Sequence, residues 1–584
     1  MLLLVAVASL AYVNAWPNAL IFDDKPYLDY QRFTDLAAIP RYFAEHAWAA
    51  RGVDSELYRP MLLVSIALDA NLFGDWYAGY HLVNILLHAV VAVLLYAFLA
   101  RLLALDEKST GSSAYIALLA ALVFAVHPVH TEVVNSVFNR SILLAALGML
   151  GGLWWLLRYL DSHPVLAWAG LFLAYSYALF CRETAIVLPG MAAILILVYT
   201  DGNLLTRIRK ALPVFALLIP MIFYLHMRSV ALAVAPPEPD AIETALSAFA
   251  GQLDASRLLQ GEMFLRTAGV WVQAFGAMLW PFEPTLHYSS VPKTAQWAGI
   301  FLHLGLLGLA VFQFNRGHKG LLAGLAIFYL GLLPSSRLVG GGSVLPHLSE
   351  RFLYVASAGV FVVLAYALRF LHHRFDRLLA TAPGVLLLLV LIPVTWARNS
   401  DWADEITLFE SDYRRGGRSS YLLRLLTGAY LKKSDFASVI EICIANRDEQ
   451  ARGSNGMFTL HCASALSYSG RLEEAERTYL VATLSKESRR MAHSNLAQHY
   501  MRSGRQEEAR IQFEKAVEVE SDPALKAYQT GIMLTHVYSG NPDKWGEARA
   551  HFVEALRLQP GMREAQDWLD LIDQAFDQAA GAEK

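Results

Sequence analysis

Between Gly79 and Leu103 the chain carries one charged side chain, Arg101. About 20 apolar residues suffice to cross a bilayer as a helix, and only a helix or a closed barrel satisfies its backbone there. Runs of this kind recur through the first two-thirds of the sequence. They predict spans near 1–20, 79–103, 113–128, 140–160, 164–180, 184–200, 211–229, 296–314, 320–334, 350–371 and 381–397, about eleven in all. Segment 261–281 is interrupted by Arg266 and ends at Trp280-Pro281, so it reads as an interfacial or re-entrant helix, and 58–73 reads similarly. The first run lacks the basic start of a secretory leader and is expected to be a retained span.

Loop charges orient these spans, because Lys and Arg are held on the cytoplasmic side. Arg207/Arg209/Lys210, Arg316/Lys319 and Arg369/Arg374/Arg377, with Arg101 and Lys108, fall on one side. Asp23/Asp24, the stretch from His127 to Arg140, Arg182/Glu183, the long 230–295 segment and 335–351 fall on the other. The C-terminal region falls there too. A net charge of −3 with no basic tract gives nucleic acid nothing to bind.

After Trp396 the composition turns polar and a period near 34 emerges, the spacing of tetratricopeptide repeats. Gly470 recurs as Gly504; Ala475, Tyr479 and Ala482 recur as Ala509, Phe513 and Ala516, then as Ala548, Phe552 and Ala555. Such helix pairs stack into a solenoid with a concave surface that ordinarily binds polypeptide. The division expected is a membrane domain over 1–398, a connecting segment over 399–419, about four repeats over 420–576 and a tail over 577–584. Cys443 and Cys462 fall at apolar repeat positions and read as core packing; the three cysteines make neither a disulfide framework nor a zinc spacing.

Charged groups at the ends of spans need a reason. Adjacent carboxylates at Asp23 and Asp24 repel, which raises one pKa and suits proton transfer or a cation. The bland alternative is a solvated pair at a helix end. His127, His130 and Glu132 in His-Pro-Val-His-Thr-Glu could bind a metal or orient a substrate; equally, the two histidines could satisfy loop backbone beside Pro128. Arg182-Glu183 and Glu350-Arg351 read as arginines for a phosphate, each held by its neighbouring glutamate, or as plain salt bridges. Arg337 and Gly340-Gly341-Gly342 lie in the same loop as Glu350, and Arg59, His81 and Asn84 read as lining residues.

Together these strings resemble the transmembrane and tetratricopeptide-repeat O-mannosyltransferases and their bacterial relatives. The matching stretches are Phe22-Asp23-Asp24, Tyr58-Arg59-Pro60, Tyr80-His81-Leu82-Val83-Asn84, His127-Pro128-Val129-His130-Thr131-Glu132, Arg182-Glu183-Thr184, Trp280-Pro281, His287-Tyr288-Ser289, Glu350-Arg351-Phe352 and Arg398-Asn399-Ser400-Asp401-Trp402. They keep the family's order across nearly all of the membrane part. Cys181-Arg182-Glu183 stands where the family often has Ser-Lys-Glu. The resemblance implies an all-α GT-C bundle and a polyprenyl- or dolichyl-phosphate-linked sugar as co-substrate. It further implies inverting transfer to protein Ser or Thr hydroxyls, on the periplasmic face of a bacterial inner membrane or the luminal face of the endoplasmic reticulum. On that reading Asp23 is the base, with Asp24 tuning its pKa or positioning the acceptor. Arg351, Arg182 and Arg337 hold the donor phosphate, and Glu183, Glu350, His127, His130, Glu132, Arg59, His81, Asn84 and Tyr288 support or line the site. The repeats recruit acceptor proteins. No metal is assigned; a divalent cation at Asp23, Asp24, His127, His130 or Glu132 stays open, as do the oligomeric state and the sugar. An oligosaccharyltransferase or O-antigen ligase, or a non-catalytic membrane scaffold, are the competing readings.

Overall fold

In a computed structural model of the chain, the residues described are 1–28, 33–49, 57–106, 112–161, 164–232, 261–286, 288, 291–336, 348–448, 456–539 and 541–582. They are helical throughout, with no β-strand among them. Two compact units are present, Met1–Gly417 and Arg418–Lys584.

Every predicted span in the first unit is matched by a helix, but the lengths differ. Among the described residues, six helices are long and apolar enough to cross a membrane: Tyr77–Leu105, Arg140–Asp161, Leu204–Leu232, Lys293–Asn315, Glu350–Arg374 and Leu379–Asp401. The pair Ser113–Ala125 and Pro128–Asn135 is apolar enough to count as a seventh if its halves, bent by 55°, form one broken span. The remaining predicted spans are shorter apolar helices: Leu2–Ala11, Val165–Cys181, Glu183–Tyr199 and Gly320–Ser336. The run 1–20 is not one helix. It breaks after Ala11 into a short 3-10 turn, Val13–Ala15, ahead of Pro17, whose ring has no N–H to continue a helix. Asn14 and Asn18 just beyond the break are tied across the bundle to the backbone carbonyls of Trp396 and Asn399, each at 2.9 Å.

Helix ends gather on two faces. On one, Tyr115 meets His372, Arg369 donates to Leu103 O, Arg101 pairs with Asp161, and Lys319 lies 3.7 Å from Asp201. This is the basic face that the loop charges describe. On the other lie the Asp23–Asp24 turn, the His127–Asn139 bend, Arg182, and the 285–288 and 348–351 segments. The helix Gly261–Leu279 is apolar but shorter than the six long spans. Thr267 near its start donates to Ser336 O, and Met278 O near its end bonds His127, both of them site-face partners.

Close helix crossings rest on small residues, as expected where lipid gives no hydrophobic drive to pack. The helices Gly320–Leu332 and Leu353–Arg374 meet at Gly324 and Gly359, where a β-carbon on Gly359 would run into the Gly324 carbonyl and the Phe328 backbone.

In the second unit, helix pairs Ser420–Lys432/Phe436–Ala445, Gly456–Tyr468/Leu472–Ala482, Arg489–Arg502/Gln506–Glu518 and Pro523–Val537/Pro542–Leu558 precede a last helix, Arg563–Ala582. The repeat positions Ala475, Tyr479, Ala482, Ala509, Phe513, Ala516, Ala548, Phe552 and Ala555 are all buried. Gly470 and Gly504 turn the chain between helices at φ of 77° and 74°, a region that costs a β-carbon-bearing residue dearly. One expectation fails here. Cys443 and Cys462 are not separate core residues but a disulfide that staples Phe436–Ala445 to Gly456–Tyr468. Both sit on apolar repeat positions, so periodicity could not tell a packed pair from a bonded one.

Candidate active site

The first acidic pair divides its labour. Asp24 is buried, and its carboxylate accepts from Ser136 Oγ at 3.0 Å, Val137 N at 2.9 Å and Phe138 N at 2.8 Å. It therefore ties the chain after the first helix to the end of the His127–Ser136 bend. Burial pushes its pKa up to about 7; the three donors pull the other way without cancelling burial, and Asp23 adds to the rise. Asp23 is half-buried and precedes the four-residue helix Asp24–Tyr27. Phe22 before it holds φ of 54°, a left-handed conformation that costs a bulky residue about 1–3 kcal/mol. The anchored Asp24 on one side and the strained Phe22 on the other fix where Asp23 points. Burial raises the Asp23 pKa above the usual carboxylate range; Arg351 lowers it, Glu132 raises it and Arg59 lowers it.

Those three neighbours belong to a partly buried ionic cluster whose pairing the sequence misassigns. Glu350 does not hold Arg351, nor does Glu183 hold Arg182. Arg351 is gripped by Glu132, which accepts from Nη1 at 2.6 Å and from the Arg351 backbone N at 2.8 Å. Glu183 is taken by Arg59 in a two-point contact, Nε at 3.0 Å and Nη2 at 2.6 Å. Adjacent residues at a helix start point in different directions, so neighbours in sequence seldom share a partner. Arg182 is left apart. It is 6% exposed, its hydrogen bond is from Nη1 to Ser141 Oγ at 2.9 Å, and no carboxylate among the described residues lies within ion-pair distance. It is within electrostatic reach of Arg59, Glu183, Arg351 and Glu132. Among the described residues the cluster thus sets three guanidiniums, Arg59, Arg182 and Arg351, against two glutamates, with Asp23 at its edge. A buried cation lacking a partner is costly, and a multidentate anion is what would relieve it.

The histidines are bonded to backbone and to a hydroxyl. His127 Nε2 bonds Met278 O at 3.1 Å while its Nδ1 accepts from Val129 N at 3.3 Å; His130 bonds Phe124 O at 3.0 Å and Ser357 Oγ at 3.1 Å. They satisfy the backbone opened by Pro128 at the bend. Asn84 donates to Val134 O and Ser136 O and accepts from Arg140 Nε at 2.7 Å, and His81 is buried beside Arg140. Tyr288 donates to Glu350 Oε1 at 3.3 Å. Arg337 and the triple glycine lie outside the described residues. No group of three or more His, Cys, Asp or Glu among the described residues is arranged to hold a metal ion. Asp24 in particular has its oxygens turned to the backbone.

Two buried arginines carry weight that the sequence reading did not assign. Arg140 pairs with Asp69 at 2.5 Å and donates to Tyr80 O, binding three helices behind the acidic turn. Arg398 sits between Asp401 and Asp412, at 3.2 and 3.1 Å. Both arginines end or begin a span on the site face, and that position was the available signal.

The fold and site define a polytopic helical membrane protein with a cluster of charged residues on one face, joined to a helical-repeat unit. No family model matches the chain, and no solved structure does. Among curated proteins, human protein O-mannosyl-transferase TMTC4 is 27% identical over 463 residues, covering 70% of this chain and 60% of that protein. Human TMTC3 is 23% identical over 519 residues, 82% of this chain and 54% of that protein. Drosophila melanogaster Tmtc2 is 30% identical over a shorter stretch of 194 residues, 31% of this chain. The chain is similar to these O-mannosyl-transferases, and spans 60% and 54% of the length of the two human relatives.

Proposed function

We propose that this protein is a GT-C glycosyltransferase that moves a sugar, mannose by analogy with its relatives' names, from a polyprenyl- or dolichyl-phosphate carrier to protein Ser or Thr hydroxyls. The observation that carries the reading is Arg182, a buried guanidinium with no carboxylate partner among the described residues, set in the same cluster as Asp23. A lipid phosphate placed there meets Arg182 and the flank of Arg351. Asp23 accepts the proton of the acceptor hydroxyl as its oxygen attacks the anomeric carbon. The bond from that carbon to the phosphate oxygen breaks, and the lipid phosphate leaves carrying the electron pair. The two arginines stabilise the charge gained by the leaving phosphate, which is why no general acid is required. Attack opposite the leaving group inverts the anomeric centre.

The site belongs on the extracytoplasmic face, opposite the basic loops. The Cys443–Cys462 disulfide supports the same side for the repeat unit, since disulfides persist in the periplasm or the endoplasmic-reticulum lumen and seldom in the cytosol. There the repeats recruit acceptor polypeptide. The test is transfer by the full chain in detergent from synthetic polyprenyl-phosphate mannose, with the product mapped by mass spectrometry. Arg182→Ala removes a buried charge-assisted hydrogen-bond donor and is expected to raise the KM for donor at least about tenfold. An unchanged donor KM would remove the anion pocket from the account.

A further inference from the structure

The end of the last long helix holds a second buried charge node, behind Arg351. Arg398 is 1% exposed; its Nη1 bonds Asp401 and Asp412, and its Nη2 stands 3.9 Å from Glu350 Oε2, beyond hydrogen-bond distance. Arg398 Nε and Nη2 and Glu350 Oε2 are all buried without a hydrogen-bond partner. Two of the three carboxylates that Arg398 faces, Glu350 and Asp412, also bond one short segment. Glu350 Oε1 accepts from Thr285 N at 3.2 Å and from Tyr288 OH, while Asp412 Oδ2 accepts from Leu286 N at 2.6 Å and Thr285 Oγ1 at 3.1 Å. Asp412 lies on the helix Glu405–Arg414, within a stretch expected to be a mere connector. That helix is part of the membrane unit.

Stability is a poor reason for this arrangement. Three carboxylates, Glu350, Asp401 and Asp412, share two cations, Arg398 and Arg415, and buried ion pairs are often replaceable by apolar groups without harm to the fold. The node does have one outlet. Glu350 is bonded through the chain to Arg351, whose own N–H and guanidinium are held by Glu132. The Glu350–Arg351 unit is therefore pinned on one side by the node and on the other by the cluster at Asp23.

We propose that Arg398 and Asp412 are positioning residues that, through Glu350, hold Arg351 where it contacts the phosphate of a lipid-linked donor. The inference rests on the reading of Arg182 and Arg351 as an anion pocket. It makes the helix Glu405–Arg414 part of the donor site rather than a tether. Neither residue touches the ligand, so the effect is on phosphate affinity and not on the polyprenyl chain.

The test titrates the full chain in detergent with radiolabelled undecaprenyl phosphate and, separately, with undecaprenol. Asp412→Asn weakens the charged hydrogen bond from Arg398, and Arg398→Lys loses the guanidinium that faces Asp401, Asp412 and Glu350 together. Each is expected to weaken phosphate binding about tenfold, with undecaprenol binding unchanged. Thr285→Val removes a single hydroxyl from the gripped segment. It keeps the fold if the charged variants do not, and is expected to weaken phosphate binding by about threefold. Wild-type phosphate affinity in the variants that fold overturns the proposal, as does an equal weakening for phosphate and alcohol. Arg182→Ala, measured alongside, separates two failures. If Arg182→Ala weakens phosphate binding and the node variants do not, the node is structural. If Arg182→Ala also binds as wild type, the pocket reading itself falls.

Discussion

At the scale of single residues, two adjacent carboxylates have opposite fates. Asp24 accepts three hydrogen bonds and is an anchor; Asp23 makes none of these and faces the arginines. Asp24→Asn turns an amide NH2 toward a backbone N–H, and leaving such a donor unsatisfied costs about 1–3 kcal/mol. Asp24→Asn is therefore expected to lower the thermal unfolding midpoint of the purified chain, while Asp23→Asn leaves it within about a degree. The pH dependence follows from the same pair. Burial lifts the Asp23 pKa, and a general base works only when deprotonated. The acid limb of the rate profile should then fall at a pH above the ordinary aspartate value of about 3.9. A limb at or below that value would mean that another group is the base. Asp24 adds a stability effect of opposite sense. With its folded pKa lifted to about 7, its contribution is full below the unfolded value, about 3.9, and is lost as pH rises through about 7. The identity of the polar residues was legible in the sequence; their partners were not. Arg351 with Glu132 and Arg59 with Glu183 join positions more than a hundred residues apart, and no local spacing encodes that.

At the scale of elements, apolar runs placed a helix at every expected span, six of them long enough to cross a membrane among the described residues, because burial in lipid is written residue by residue. Length was less legible. Where Asn14, Asn18 and Pro17 follow an apolar start, side-chain bonds to a neighbouring helix end the helix early, and that neighbour is distant in sequence. The bend at His127–Pro128 is likewise closed by Met278 and Ser357. Repeat helices were the most legible, since their period is local and each buried Ala or aromatic reports it. Close helix crossings depend on small residues that no periodicity marks. At Gly359 even a methyl group would collide with backbone, so Gly359→Leu is expected to separate the helices Gly320–Leu332 and Leu353–Arg374. Overpacking costs of this kind run to about 1–3 kcal/mol or more. A lowered unfolding midpoint with reduced yield of inserted protein checks it, and wild-type stability would contradict the close crossing.

At the scale of the molecule, one face collects the acidic turn, the three-guanidinium cluster and the node around Arg398, while the other collects the basic loops. That polarity is what a transferase fed by a membrane-borne donor requires: the leaving phosphate stays at the bilayer surface, and the acceptor approaches from water. The central claim is that Asp23 removes the acceptor's proton. It is tested most directly by comparing wild type and Asp23→Asn, as full chains in detergent, for the rate of mannose transfer at saturating donor, with donor affinity measured in parallel. The account predicts a rate lower by about 10²–10⁴ with donor affinity within a few-fold of wild type. Transfer at the wild-type rate by Asp23→Asn would contradict it.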